Sequence, residues 1–302
     1  MMDASLLSQL SATHFVSGEE LARQAGCSRA AIAKRMDLLR AAGVLIEARS
    51  RLGYRLSFPY EWWTQQRLDT AFSGWPDAPE AIVLAAVAST NDWLRDQLVA
   101  RQDGRCLLAV TDFQQGGKGR RGRAWLAPVG RQLTFSIGIA AAPGPLAWIG
   151  VALAVGAELA QMLNERGWPV QLKWPNDLLL DGRKLAGILV ELDAMAEGPS
   201  RVVVGVGINE ALLPDERSRL DRPVAALQDL PLSYSRAELL AAMAQRLSSL
   251  LQAFPERGLG HWRPVWQDFD ALRGQTVDFQ RGEDWLRGKA RGIDGQGSLL
   301  LE

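Results

Sequence analysis

Apolar positions recur with two different rhythms along the chain. Over 29–42, Ile32, Met36 and Leu39 fall at i, i+4 and i+7, one face of a helix. Ser28 stands where an N-cap belongs and Gly43 where a helix stops. Ahead of it, Ser17-Gly18-Glu19-Glu20 has the form of a capping box, so a shorter helix is predicted through Leu21 and Ala22, ending at Gly26. Two short β-patterned runs, 44–48 and 54–58, flank Arg49-Ser50-Arg51-Leu52-Gly53 and predict a hairpin. Helix, tight turn, helix and hairpin together make a winged helix-turn-helix.

The rhythm then changes. Pro59, Gly74, Pro76 and Pro79 mark 59–80 as a linker with a helical stretch inside it. Beyond it the pattern predicts a buried strand at 82–88, then a helix capped by Ser89-Thr90-Asn91 and running to about 100. Further strands are predicted at 106–113, 132–140, 170–174, 178–180, 185–192 and 201–208, with a hairpin turn at Asp181-Gly182. Long helices are predicted at 146–166, 236–253 and 261–271, and three short strands at 276–279, 287–293 and 298–302. Mixed strand order with grouped helices argues an α+β fold. The chain divides into 1–60, a winged helix-turn-helix; 66–270, a central mixed β-sheet with helices; and 271–302, a short C-terminal β module.

Composition removes several function classes. The chain has 302 residues, 47% of them hydrophobic, and its 34 basic and 34 acidic residues cancel, so any polyanion contact must come from a local patch. Such a patch exists in residues 1–58, with eight Lys/Arg against five Asp/Glu. Two histidines (His14, His261) and two distant cysteines (Cys27, Cys106) supply neither a zinc or iron–sulfur ligand set nor a Ser–His–Asp triad, and no metal site is expected. The start lacks the basic region of a signal peptide, and the apolar stretch 135–157 is broken by Pro143 and Pro145, so a cytoplasmic protein with no membrane partner is expected.

Three constellations carry chemistry. The first is Gln114-Gln115-Gly116-Gly117-Lys118-Gly119-Arg120-Arg121-Gly122-Arg123-Ala124-Trp125, where glycines expose backbone N–H groups among four cations. It contains a GxGxxG string, but the segment runs into Pro128 and Gly130 instead of opening a helix, and it lacks the GK[ST] of a phosphate-binding P-loop. The bland alternative is a solvated basic surface loop, against which Trp125 and the glycines are odd choices. The second is Lys173-Trp174-Pro175-Asn176-Asp177, a strand end followed by turn formers that alone would be ordinary turn chemistry. The third is Arg183-Lys184-Leu185-Ala186-Gly187-Ile188-Leu189-Val190-Glu191. There a glycine inside a strand implies a close neighbour or a simple bulge. The chain has only five lysines against 29 arginines, and three of the five fall in these segments, where a compact ammonium differs from a guanidinium fork. In the N-terminal module, Ser28, Arg29, Lys34 and Arg35 face a DNA major groove if the helix reads DNA, with Arg49, Arg51 and Arg55 of the wing on the backbone. A protein-interaction module is the alternative.

Taken in order, the winged helix with Ser28-Arg29-Ala30-Ala31-Ile32, Ser89-Thr90-Asn91, the GGKGRRGRAW loop, KWPND at 173–177, RKLAGILVE at 183–191 and Gly205-Val206-Gly207-Ile208-Asn209 resemble the bifunctional biotin–protein ligase and biotin-operon repressor family, also called biotin–[acetyl-CoA-carboxylase] ligase. The resemblance spans nearly the whole chain. It implies a class II synthetase-like ligase domain and an SH3-like C-terminal module. It also implies ATP-dependent formation of biotinyl-5′-AMP, transfer of biotin to a lysine of a biotin carboxyl carrier protein, and Mg²⁺ travelling with ATP. By similarity, biotin is held by Ser89, Thr90, Asn91, Gln114, Gly117, Lys118, Gly119, Arg120, Lys184 and Gly187. The nucleotide falls to Arg121, Trp125, Lys173, Asn176, Asp177 and Asn209, and catalysis to Lys184, Arg120 and Asp177. The resemblance further implies operator DNA as a partner and a homodimer when the adenylate is bound.

Three positions depart from the family pattern. Lys118 stands where arginine is usual, and Glu210 where an uncharged residue is usual. The C-terminal module is expected to be incomplete relative to the family, leaving an open strand edge. A lipoate or other acyl–protein ligase is the rival enzyme, opposed by the winged helix and the KWPND/RKLAG pair. A non-catalytic biotin-sensing repressor is the other rival, opposed by the intact loops.

Overall fold

The computed structural model describes residues 4–101, 103–141, 144–193, 200–282 and 284–302. Helices α1 (Ala4–Ser8), α2 (Gly18–Gln24) and α3 (Arg29–Ala41) precede the hairpin β1 (Ile46–Arg49) and β2 (Gly53–Leu56). Ser17 and Ser28 cap α2 and α3, each accepting a backbone N–H three residues on. Leu21, Ile32, Met36 and Leu39 close a small core that also takes in Phe113 and Val129 from beyond the linker. The module is therefore docked on its neighbour: Tyr60 stacks on Trp62 (4.3 Å between ring centroids) and Trp62 on Phe113 (5.8 Å).

After α4 (Gln65–Phe72) come β3 (Glu80–Leu84), α5 (Thr90–Leu98), β4 (Leu107–Thr111), β5 (Gln132–Ala141), α6 (Val151–Glu165), β6 (Val170–Lys173), β7 (Asp177–Leu180), β8 (Arg183–Asp193) and β9 (Ser200–Asn209). Among the described residues, seven strands form one sheet in the order β3-β4-β5-β9-β8-β7-β6, with only the β3–β4 pair parallel. Then follow α7 (Pro214–Ser218), α8 (Arg236–Arg257), α9 (Arg263–Asp268) and a three-stranded antiparallel sheet of β10 (Thr276–Arg281), β11 (Asp284–Ile293) and β12 (Leu299–Leu301). The α+β class and the three-part architecture hold.

Side chains alternate between the two faces of each strand. On one face Phe135, Ile188, Val206 and Ile208 pack beneath α6 and α8 to form the main core. On the other, α5 covers one end with Leu94 and Leu98. Toward the middle that face carries small and polar residues, among them Thr134, Ser136, Gly187, Gly205 and Gly207.

Four elements depart from the sequence expectation in a way that their neighbours explain or that changes their place in the fold. The strand expected at 82–88 is β3, which ends at Leu84 and is an edge strand with half-buried side chains. The single helix expected at 146–166 is split: Pro145–Trp148 is a 3₁₀ turn, Gly150 takes φ +83°, and α6 begins at Val151. Gly150 abuts Leu259, where a β-carbon would come within 2.8 Å of that side chain. The helix expected at 261–271 is only α9, because Phe269–Ala271 instead pair with Leu172 of β6. Helix α8 runs on to Arg257, past the expected end at 253. Pro145–Glu165 has the length and apolarity of a membrane span by composition, yet most of it is buried in the core.

A buried ion cluster pins the linker to the sheet. Arg236, at the start of α8, contacts Glu210 (2.7 Å) and Asp112 (3.0 Å), and it also donates to the carbonyls of Glu61 and Gln132. Asp112 in turn accepts from the Trp63 N–H at 2.7 Å. This accounts for the unusual Glu210: with Asp112 it satisfies a buried guanidinium. Burial pushes both carboxyls above their usual range, against the pull of Arg236. Arg236→Met should leave two unpaired buried carboxyls and cost about 3–5 kcal/mol in urea unfolding. A loss under 1 kcal/mol would show that the cluster does not hold the linker.

Candidate active site

The site is built on a row of missing side chains. The register places Asp177 of β7 opposite Gly187 of β8, Gly187 opposite Gly207 of β9, and Gly207 opposite Thr134 of β5. One row further, Leu189, Gly205 and Ser136 align in the same way. A bulge at Leu185, between Ala186 and Lys184, turns the strand entry toward this face. The result is a flat floor at a cavity of about 1030 Å³, walled by the 118–126 loop, the 173–177 turn, the 220–224 segment and part of the C-terminal sheet.

The glycine-rich loop covers the floor in a closed shape. Trp125 N–H donates to Gly117 O (2.8 Å), Gly119 N–H to Arg123 O (2.7 Å), and Lys118 bridges Ala124. A β-carbon at Gly117 would sit 2.5 Å from the Trp125 carbonyl, so the loop closes this way only around glycine. Arg121 takes φ +58° at the loop tip, and Arg120, Arg121 and Arg123 are exposed there. The Trp125 indole lies on the floor, where β-carbons at Gly187 and Gly207 would come within 3.2 and 2.5 Å of it. The Lys184 ammonium stands 5.3 Å from the ring centroid and 2.7 Å from Asp177 Oδ1. Both partners of that ion pair are less than a fifth exposed, so solvent screens them weakly.

At the opposite end, Thr90 N–H and Oγ1 donate to Gln114 Oε1 at 2.9 and 3.1 Å, and Ser89 caps α5. Lys118 meets Asp92 at 2.6 Å. Lys173 and Asn176 line the cavity beside Asp177, and the Asn176 amide donates to Ile188 O at 2.7 Å. Of the residues expected to bind biotin or nucleotide, all but Gly117 line one cavity, and Gly117 is tied to that wall through Trp125. Two of them are committed to structure as well. Asn91 Nδ2 donates to Glu191 (2.7 Å) and Leu189 O (3.3 Å), while its Oδ1 accepts from Ser136 (2.6 Å). Asn209 Nδ2 donates to Ala225 O and its Oδ1 accepts from Gln132 Nε2, both at 2.9 Å.

The sequence reading missed Gly205 and Gly207 as floor positions, although glycines two apart in a strand share a face. It also missed the buried Gln132, and the Asp221–Arg222 pair at the cavity rim, where mutual hydrogen bonding lowers the carboxyl and raises the guanidinium pKa. Among the described residues no cluster of three His, Cys, Asp or Glu stands ready for a metal.

On α3, Ser28 caps the helix and Arg29 and Lys34 are exposed, with Arg35 half-buried. Arg49 and Arg55 are not free wing cations. Both pair with Glu47, at 2.6 and 2.5 Å, and both lie over the Phe15 ring. Arg51 stands exposed at the wing tip.

The sequence pattern of the biotin/lipoate A/B protein ligase family matches residues 83–209, and an HTH-domain pattern matches 4–55. The Bifunctional ligase/repressor BirA of Escherichia coli is 36% identical over 298 residues, covering 98% of this chain and 91% of that protein. The Biotin--[acetyl-CoA-carboxylase] ligase of Mycobacterium tuberculosis is 32% identical, covering 79% of this chain and 88% of that protein. Among solved structures, the biotin protein ligase from Aquifex aeolicus in complex with biotin and ATP superposes with a TM-score of 0.61 at 26% identity, covering 74% of this chain and 91% of that one.

The double commitment of Asn91 has a consequence for stability. Asn91→Ala should take one hydrogen-bond partner each from Ser136 and Glu191, which keep Thr90 and Arg95, and lower unfolding stability by about 1 kcal/mol without any ligand present. Unchanged stability in chemical denaturation would mean that the amide serves ligand alone.

Proposed function

The chain belongs to the family of bifunctional biotin–protein ligases and repressors, and from that premise we propose that it activates biotin with ATP, passes it to a carrier lysine and represses biotin-synthesis genes. The observation that carries the enzymatic half is the half-buried Lys184 ammonium on the glycine floor, beneath a loop bearing four cations. Two anions that repel each other, a carboxylate and a triphosphate, need such a place to meet.

In the first step a biotin carboxylate oxygen attacks the α-phosphorus of ATP. A new P–O bond forms, the α–β bond breaks, and pyrophosphate leaves. Lys184 draws the two reacting groups together by exchanging part of its contact with Asp177 for the ligand oxygens. Arg120 and Arg121 meet the phosphates from the loop side, and Lys118 with Gly117 and Gly119 closes over the intermediate. Ser89, Thr90, Gln114 and Asn91 face the biotin head. Trp125, Lys173, Asn176 and Asn209 face the nucleotide. In the second step the carrier lysine amine attacks the acyl carbon and AMP leaves. Closure of the loop keeps water from the mixed anhydride.

The donor set fits a magnesium ion that arrives on the triphosphate, since Asp177 offers a carboxylate and no protein-only cage exists among the described residues. Bound there, Mg²⁺ would screen phosphate charge. Asp177 also orients Lys184, which is its role in the chain's own chemistry.

For the repressor half, α3 enters the major groove of operator DNA through Ser28, Arg29, Lys34 and Arg35, with Arg51 leading the wing and Arg49 and Arg55 behind it. One module offers few contacts, so the adenylate-bound protein binds a palindrome as a homodimer. The reading places the protein in the cytoplasm, with the biotin carboxyl carrier protein as acceptor.

Lys184→Ala should reduce biotin-dependent ATP–pyrophosphate exchange by about 10²–10³-fold with an unchanged circular dichroism spectrum. Normal exchange would remove Lys184 from the chemistry. For DNA, Arg29→Ala and Lys34→Ala should each lower the slope of log affinity against log salt by about one, read by fluorescence anisotropy on an operator fragment. Slopes equal to that of the unaltered protein would take α3 out of the interface.

A further inference from the structure

Gln132 opens β5, a strand otherwise filled by apolar and small residues, and it is 3% exposed. A primary amide has two N–H donors and one carbonyl acceptor with two lone pairs, and here all are used. Nε2 donates to Asn209 Oδ1 (2.9 Å) and to the Leu126 carbonyl. Oε1 accepts from Trp125 Nε1 (2.9 Å) and from Thr134 Oγ1 (3.5 Å). One buried side chain thus grips the glycine-rich loop twice, by indole and by backbone. Through Asn209 it also reaches Ala225 O, directly after the 220–224 segment of the cavity wall.

The grip has a rigid base. The Gln132 carbonyl accepts from Arg236 Nη2 (2.8 Å), and Arg236 is itself fixed by Asp112 and Glu210. The backbone behind the amide is therefore held before any ligand arrives. Neither a longer nor an apolar side chain would reproduce the pattern, and a carboxylate would lose both donors while burying a charge.

We propose that Gln132 is a positioning residue of the adenylation site: it acts through the Trp125 indole, seating it on the Gly187–Gly207 floor so that the cationic loop closes in one register over the nucleotide end. The proposal rests on the ligase reading for its kinetic consequence, but the closure itself is a property of the ligand-free chain. The Thr90–Gln114 end of the cavity touches none of these bonds, so the effect falls on ATP more than on biotin.

The test has a structural arm and a kinetic arm. Arg120, Arg121 and Arg123 are exposed trypsin sites on the loop. In the ligand-free full-length protein, Gln132→Met should raise the rate of tryptic cleavage there about tenfold, as expected for losing hydrogen bonds worth one decade in a closing equilibrium. Trp125→Phe removes the indole N–H together with the five-membered ring that carries it; it should raise cleavage in the same way, and it decides the matter should Gln132→Met not fold. In pyrophosphate exchange, both variants should raise the KM for ATP about tenfold more than the KM for biotin. The double variant should be no worse than either single one. Unchanged cleavage in Trp125→Phe, equal shifts in the two KM values, or additive effects in the double variant would each overturn the proposal. Absence of biotin-dependent exchange in the unaltered protein would defeat the ligase reading instead, and the cleavage arm would still judge Gln132.

Discussion

Everything in the site depends on a space that two glycines leave empty. Gly187 and Gly207 face each other across β8 and β9, and their lack of β-carbons lets the Trp125 indole lie flat on the sheet. That one contact sets where the loop sits, and the loop carries four cations. It also brings the ring against Lys184, whose partner Asp177 comes from the next strand over. A methyl group at either glycine would lift the indole away from the sheet.

The sheet behind that floor has to be stiff for the arrangement to serve chemistry. A near-ångström displacement of a reacting group costs orders of magnitude in rate. Stiffness comes from the other face, where α6 and α8 bury Phe135, Ile188, Val206 and Ile208. It comes too from the Arg236 cluster, which ties α8, the ends of β4 and β9, the start of β5 and the linker into one knot. The same knot fastens the segment leading into the winged helix, whose core shares Phe113 and Val129 with the sheet domain. Ligand pocket and DNA-reading module thus stand on a common support.

What the sequence made legible was local. The helices of the winged module could be read because their caps, Ser17 and Ser28, lie next to the residues they cap. Gly187 could be singled out because a glycine inside a strand needs a reason. Its partner Gly207 could not be assigned, because that requires the β8–β9 register, a pairing between distant segments. The break at Gly150 depends on Leu259, again far along the chain. Glu210 looked like an anomaly until Arg236 stood beside it, and Gln132 looked like a polar residue at a strand start until its four partners converged. For Arg49 and Arg55 the sequence puts two cations on the wing, and the hairpin register adds that they share one carboxylate, Glu47.

The proposed chemistry requires a carboxylic acid and a nucleotide to meet on the glycine floor, between the cationic loop and Lys184. A crystal structure of the protein with biotin and a non-hydrolysable ATP analogue tests it most directly. The biotin carboxylate and the α-phosphate should both lie within hydrogen-bonding distance of the Lys184 ammonium, with the loop closed over them. Ligand density elsewhere, with Lys184 still paired only to Asp177, would contradict it.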